Sequence, residues 1–138
     1  MGFMGSMPIA GVIWQHVHYV VGLQRLGYDV YYIEDSARLP YNPETFEVNN
    51  EFDYAAKVLN RLAGEFDFKN RWAFCARYLR KNPTAGLPLK KIRQLYRDAD
   101  AILIFAARRS STTICSRAIE SFTSRAIQAS NKSRLIKA

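Results

Sequence analysis

Residues 8–35, PIAGVIWQHVHYVVGLQRLGYDVYYIED, place an amphipathic helix, a glycine stop and an apolar strand in immediate succession. A chain with this order is constrained to an α/β arrangement, because helix and strand must bury their apolar sides against each other. On a helical wheel Ile9, Val12, Ile13, Val17, Val20 and Leu23 share one face, with Gln15, His18, Gly22 and Arg25 opposite. Gly27 stands where a left-handed C-cap belongs, since a residue without Cβ takes positive φ at little cost. Residues 29–33, Asp-Val-Tyr-Tyr-Ile, are too rich in β-branched and aromatic types to prolong the helix and predict a strand. Ahead of the helix, residues 2–8 (Gly-Phe-Met-Gly-Ser-Met-Pro) read as a turn entering at a proline, the position of a ligand-facing loop.

A chain of 138 residues, nearly half of them apolar, suffices for one domain with its own core. No run approaches the roughly 20 apolar residues that span a bilayer. No basic segment precedes an apolar run at the N-terminus, so a signal peptide is not expected and cytoplasmic residence is. Cys75 and Cys115 form no motif and predict idle thiols rather than a disulfide or metal pair.

The formal charge of +8 invites a nucleic-acid reading, but its placement argues against one. Residues 106–138 hold seven basic groups against Glu120 alone, leaving residues 1–105 at only +2. A DNA- or RNA-binding face requires Lys and Arg gathered on a folded element, so no specific nucleic-acid partner is expected.

A second helix is predicted from Glu51, with Ala55, Val58, Leu59, Leu62 and Phe66 on one stripe and Gly64 near its end. Before it, residues 40–43 read as a turn and the stretch to Asn50 as a polar connection. Residues 72–78 fit an irregular strand or an aromatic-lined loop, and residues 82–86 another turn. A third helix starts near Pro88, placing Leu89, Ile92, Tyr96 and Ala99 together, and stops at residues 98–100. Residues 101–105, Ala-Ile-Leu-Ile-Phe, then predict a strand covered on both faces. Beyond Phe105 the periodicity collapses, and ten of the last 33 residues are Ser or Thr. That stretch reads as a basic disordered tail or weak helix, or as the product of a shifted reading frame, since suitable codons one base out of phase would encode an apolar strand.

With MPIAGVIWQH and YYIEDS in the first 36 residues, PYNPETFEV from Pro40, Arg71-Trp72, and the helix ending at residues 95–100, the chain resembles a bacterial family of glycosyltransferases of the GT-B type. The resemblance covers residues 1–105. It implies an α/β fold, a partial Rossmann-like parallel sheet with flanking helices, corresponding to the N-terminal half of such an enzyme. It also implies that this half shapes the sugar-acceptor side, while a second half binds the nucleotide-sugar donor. Two departures follow from the comparison: the donor-binding half is not in this sequence, and the chain starts at or inside the glycine loop, where a first strand normally precedes. No cofactor is therefore expected on this chain alone, and full-length relatives are expected to use a nucleotide sugar.

The candidate site residues are Gly2, Gly5, Ser6, Trp14, His16, Glu34, Asp35 and Trp72. Backbone amides around Gly2, Gly5 and Ser6 at a helix start can approach an anion or a sugar, although GxGxxG is absent and a tight turn explains them as well. His16 projects from the apolar face of its helix and reads as a core or cleft-edge histidine ahead of a base. His16 and His18 diverge by about 200° and make a poor metal pair. Glu34 and Asp35 end the strand, where a carboxylate can meet a ribose or acceptor hydroxyl, or cap a turn. Trp14 and Trp72 can stack on a sugar face, with ordinary packing as the alternative. No catalytic base and no metal cluster are identified. Besides an inactive glycosyltransferase fragment, two other functions fit: a stand-alone α/β nucleotide- or ligand-binding module, and a nucleic-acid-associated protein acting through its tail.

Overall fold

The computed structural model describes residues 3–36 and 38–103. Helix α1 (Ala10–Arg25) leads to strand β1 (Tyr32–Ser36) and a short hairpin, β2 (Tyr41–Asn42) and β3 (Glu47–Val48). Helix α2 (Phe52–Glu65), strands β4 (Trp72–Ala76) and β5 (Thr84–Gly86) and helix α3 (Leu89–Asp98) follow. The fold is mixed α/β, with a three-stranded sheet ordered β1-β4-β5.

α1 ends as its sequence dictates. Gly27 takes φ +87°, its N–H donates to the Gln24 carbonyl, and the Tyr28 N–H donates to the Leu23 carbonyl at 3.1 Å. These two bonds form a Schellman motif that satisfies carbonyls otherwise left open at a helix end. α2 buries Ala55, Val58, Leu59 and Leu62 of the expected stripe together with Ala63, while Phe66, at the helix C-cap, is half-buried. α3 follows Pro88 and buries Ile92 and Tyr96.

The sheet separates two apolar layers. Tyr32, Trp72, Phe74 and Ala76 join Val17, Val20, Leu59 and Leu62 on the α1/α2 side. Ala73 and Cys75 join Ile92 and Tyr96 on the α3 side, with Ile33 packed against them. β4 is therefore covered on both faces, and all five of its residues are buried.

Several sequence expectations are corrected. The sheet is mixed: β1 and β4 run parallel in register from Tyr32 opposite Trp72 to Ser36 opposite Ala76, whereas β5 is antiparallel to β4. Residues 82–86 are not simply a turn, because only Asn82 and Gly86 adopt positive φ and the residues from Thr84 pair with β4. β1 begins three residues later than residue type suggests, since Tyr28 is engaged in the helix cap and the ladder starts only at Tyr32. The hairpin replaces the expected polar connection after Pro40. Residues 101–103 lie outside any strand, with Ala101 and Leu103 exposed, while Ile104, Phe105 and the tail at 106–138 lie outside the described residues.

Gly86 has no room for a side chain. At φ +76° an added Cβ would overlap the Trp72 carbonyl oxygen and sit 3.0 Å from its indole ring. Gly86→Ala is expected to cost roughly 2–3 kcal/mol through left-handed strain and overpacking, read as a lower denaturation midpoint with unchanged slope. Gly27→Ala, at an open position, carries the left-handed cost without the overlap and should lose less.

Candidate functional site

The loop at residues 3–7 closes on a carboxylate of the protein itself. Glu34, in the middle of β1, is 0% exposed. Its Oε2 accepts the Gly5 N–H at 2.8 Å and the Tyr32 hydroxyl at 3.1 Å, while its Oε1 accepts the Ser6 N–H at 2.7 Å and the Ser6 hydroxyl. The Tyr32 hydroxyl in turn accepts the Met4 N–H at 2.9 Å. Three consecutive amides are thus oriented by one strand, directly or through a phenol, and the anion that the loop receives is Glu34.

Burial raises the Glu34 carboxyl above its ordinary 4.5, against hydrogen bonds from Ser6, Gly5 and Tyr32 that favour the charged form. The same enclosure raises the Tyr32 phenol, with the Glu34 charge adding to it. Tyr78 stands in the same field: burial first, then Glu34, push its hydroxyl up to about 12. His16 faces Tyr32 edge-on at 6.1 Å, and its Nδ1 lies 2.7 Å from the Val12 carbonyl oxygen. Burial lowers His16 below its ordinary 6.5, which favours the neutral ring.

Asp35, the next residue along β1, points to the opposite face. Arg77, just past β4, clamps it at two points: Nε donates to Oδ1, and a terminal nitrogen donates to Oδ2 at 2.6 Å. Cys75 lies beside this pair, paired in register with Asp35, and burial pushes its thiol up to about 12. A thiol held this far from ionisation is a poor nucleophile.

The structure therefore brings Gly5, Ser6, His16 and Glu34 to one face of the sheet and places Asp35 on the other. Trp72 is in the core. Trp14 is 53% exposed and packs edge-on against Phe66 at 6.0 Å, beside an apolar groove that includes Val21 and Gly22. Gly2 lies outside the described residues. Residue-type reasoning missed Tyr32, Arg77 and Tyr78, whose importance rests on long-range partners. Among the described residues, no group of three His, Cys, Asp or Glu side chains is arranged to hold a metal. No helix among them is long and apolar enough to cross a membrane.

The open concavity lies next to the Glu34 cluster. Because β1 and β4 are parallel and in register, the chain leaving Ser36 must return to the other end of the sheet before Trp72, and α2 makes that return. Part of this return helix faces the hairpin. There Pro8 and Ile13, the hairpin residues Pro43 and Glu44, and Tyr54, Lys57, Val58 and Arg61 of α2 line a cleft of about 410 Å³. This volume falls within the range of small-molecule sites. The Tyr41 N–H donates to the Ser6 carbonyl at 2.8 Å, so the hairpin wall is tied to the loop that Glu34 holds. The buried cluster is thus linked to one wall of the cleft.

No protein-family model, curated protein or solved structure matches this chain.

Proposed function

We propose that this chain supplies the acceptor side of a sugar-nucleotide-dependent glycosyltransferase, with a Rossmann-like core whose parallel pair is β1 and β4. The observation that carries the reading is the cleft walled by Pro8, α1, α2 and the hairpin. Its lining mixes an aromatic ring, two prolines and aliphatic side chains with a carboxylate and two cations. Apolar surface that covers C–H faces, combined with a few polar groups that fix hydroxyls, is what a sugar requires. The resemblance of residues 1–105 to GT-B enzymes points the same way. In this reading Glu34 is a positioning residue: it holds residues 4–6 and, through Ser6, the hairpin, so that the acceptor meets a wall of fixed shape. Catalysis is assigned to no residue of this chain.

The test is retention on a glycan array alongside equilibrium binding of nucleoside diphosphates and nucleotide sugars. Glycan retention without nucleotide binding, and no sugar transfer by the chain alone, are expected. Tight nucleotide binding would favour a stand-alone α/β nucleotide-binding module, and a blank array would remove the acceptor reading.

A further inference from the structure

The polar groups of the cleft are arranged for more than a neutral sugar. Tyr54, Lys57, Val58 and Arg61 follow the spacing i, i+3, i+4, i+7 and so form one stripe of α2. Val58 is buried and forms the floor, while Lys57 and Arg61 stand one turn apart at the rim. Lys57 makes no ion pair with any described residue. Among the described residues Arg61 has only a loose ion-pair partner, Glu65 on the next turn at 3.8 Å, and both side chains are more than half exposed. A pair so exposed is worth little and yields readily to a better anion. Glu44 of the hairpin lines the same cleft as Tyr54 and Arg61. The cleft thus carries two cations and an aromatic ring on α2, a carboxylate and a proline on the hairpin, and a second proline ahead of α1.

We infer that the cleft takes a hexose bearing an anionic group, with Lys57 and Arg61 on the anion, Glu44 accepting from ring hydroxyls, and Tyr54 and Pro43 against the C–H face. This inference rests on the acceptor-side reading and narrows it to a substrate class. A fork-shaped guanidinium beside an ammonium suits a carboxylate or a phosphate. Glu44 disfavours a bare anion, because like charge repels it unless hydroxyls are present to donate. A neutral sugar leaves both cations unused. Specificity therefore arises from requiring both halves of the ligand.

The experiment is amide NMR titration of the full isotope-labelled chain with glucose 6-phosphate, glucuronate, glucose and inorganic phosphate. The two anionic sugars should give saturable shifts centred on Glu44, Tyr54, Lys57 and Arg61, with glucose and inorganic phosphate at least tenfold weaker. If glucose 6-phosphate alone binds, the anion is a phosphate; if glucuronate alone binds, it is a carboxylate. Either result supports the class. A Lys57→Ala/Arg61→Ala chain, altered only at exposed positions, should lose tenfold or more for the anionic sugars while keeping the wild-type circular dichroism spectrum. Glu44→Gln should strengthen inorganic phosphate relative to the sugars. Glucose or phosphate binding as tightly as the anionic sugars, or a double variant that binds them unchanged, would overturn the inference. Neutral glycans binding at these residues without help from an anion would sink the inference and leave the acceptor-side reading standing. No shift with any sugar would remove both.

Discussion

Glu34→Ala is expected to unfold the protein or leave it barely folded. Truncation strands four donors that now meet one carboxylate: the Gly5 and Ser6 amides and the Ser6 and Tyr32 hydroxyls. Each buried donor left unsatisfied costs about 1–3 kcal/mol, so the sum approaches the whole stability of a small domain, about 5–15 kcal/mol. Glu34→Gln is the informative companion. Its amide oxygen can keep the Ser6 bonds and its NH₂ can donate to Tyr32, but that NH₂ then opposes the Gly5 N–H, a loss of about 1–3 kcal/mol. The two chains should also differ in pH dependence. The folded-state pKa of Glu34 lies above its ordinary 4.5, so its contribution is fully present below that pH and is lost as pH rises through the folded value. His16 has the opposite sign: its lowered pKa gives a contribution present above 6.5 that is lost as pH falls. Both chains carry His16, so its effect cancels in their difference. Denaturant titrations at several pH values from 4 upward should therefore show the stability advantage of wild type over Glu34→Gln shrinking with rising pH. A gap that stays constant or widens would contradict a carboxyl strained by burial.

What sequence could reveal and what it could not divide along range of interaction. Gly27, Pro88 and the Ala55-Val58-Leu59-Leu62 stripe act within a turn or two of themselves, so residue type and spacing locate α1, α2 and α3 closely. β5 was hidden because its three residues lie among Asn, Pro and Gly, and only the partner strand makes them a ladder. The sequence marks the loop as a turn and Glu34 as a strand-end carboxylate, yet 28 and 29 residues separate the carboxylate from the amides it accepts. The useful signal was a carboxylate inside an apolar strand, which demands donors from elsewhere. For the cleft, the cue was Tyr54, Lys57 and Arg61 beside the buried stripe of α2, a polar flank that reads as ordinary solvated surface until the hairpin is seen opposite it.

Arg77→Met should be the most damaging change on the α3 side of the sheet. The Asp35 side chain is 1% exposed and that of Arg77 only 15%, so the pair is held in a poorly solvated place. Removing the guanidinium leaves a buried carboxylate with neither of its present partners, at a cost of about 3–5 kcal/mol. The pair itself is a different quantity. Desolvation of both ions offsets much of their attraction, so replacing both together with apolar residues of similar volume is often neutral or stabilising. Asp35→Leu/Arg77→Met is accordingly expected to recover most of the loss, giving a strongly non-additive double-mutant cycle in denaturant unfolding. The neighbouring Cys75 and the buried Ile92 supply apolar surface for the new side chains to meet. Arg77→Lys separates charge from geometry: an ammonium neutralises Asp35 but cannot reproduce the two-point clamp, so an intermediate stability is expected. If the double variant is as unstable as Arg77→Met alone, the pair is required for packing at the end of β4 rather than to neutralise one buried charge with another.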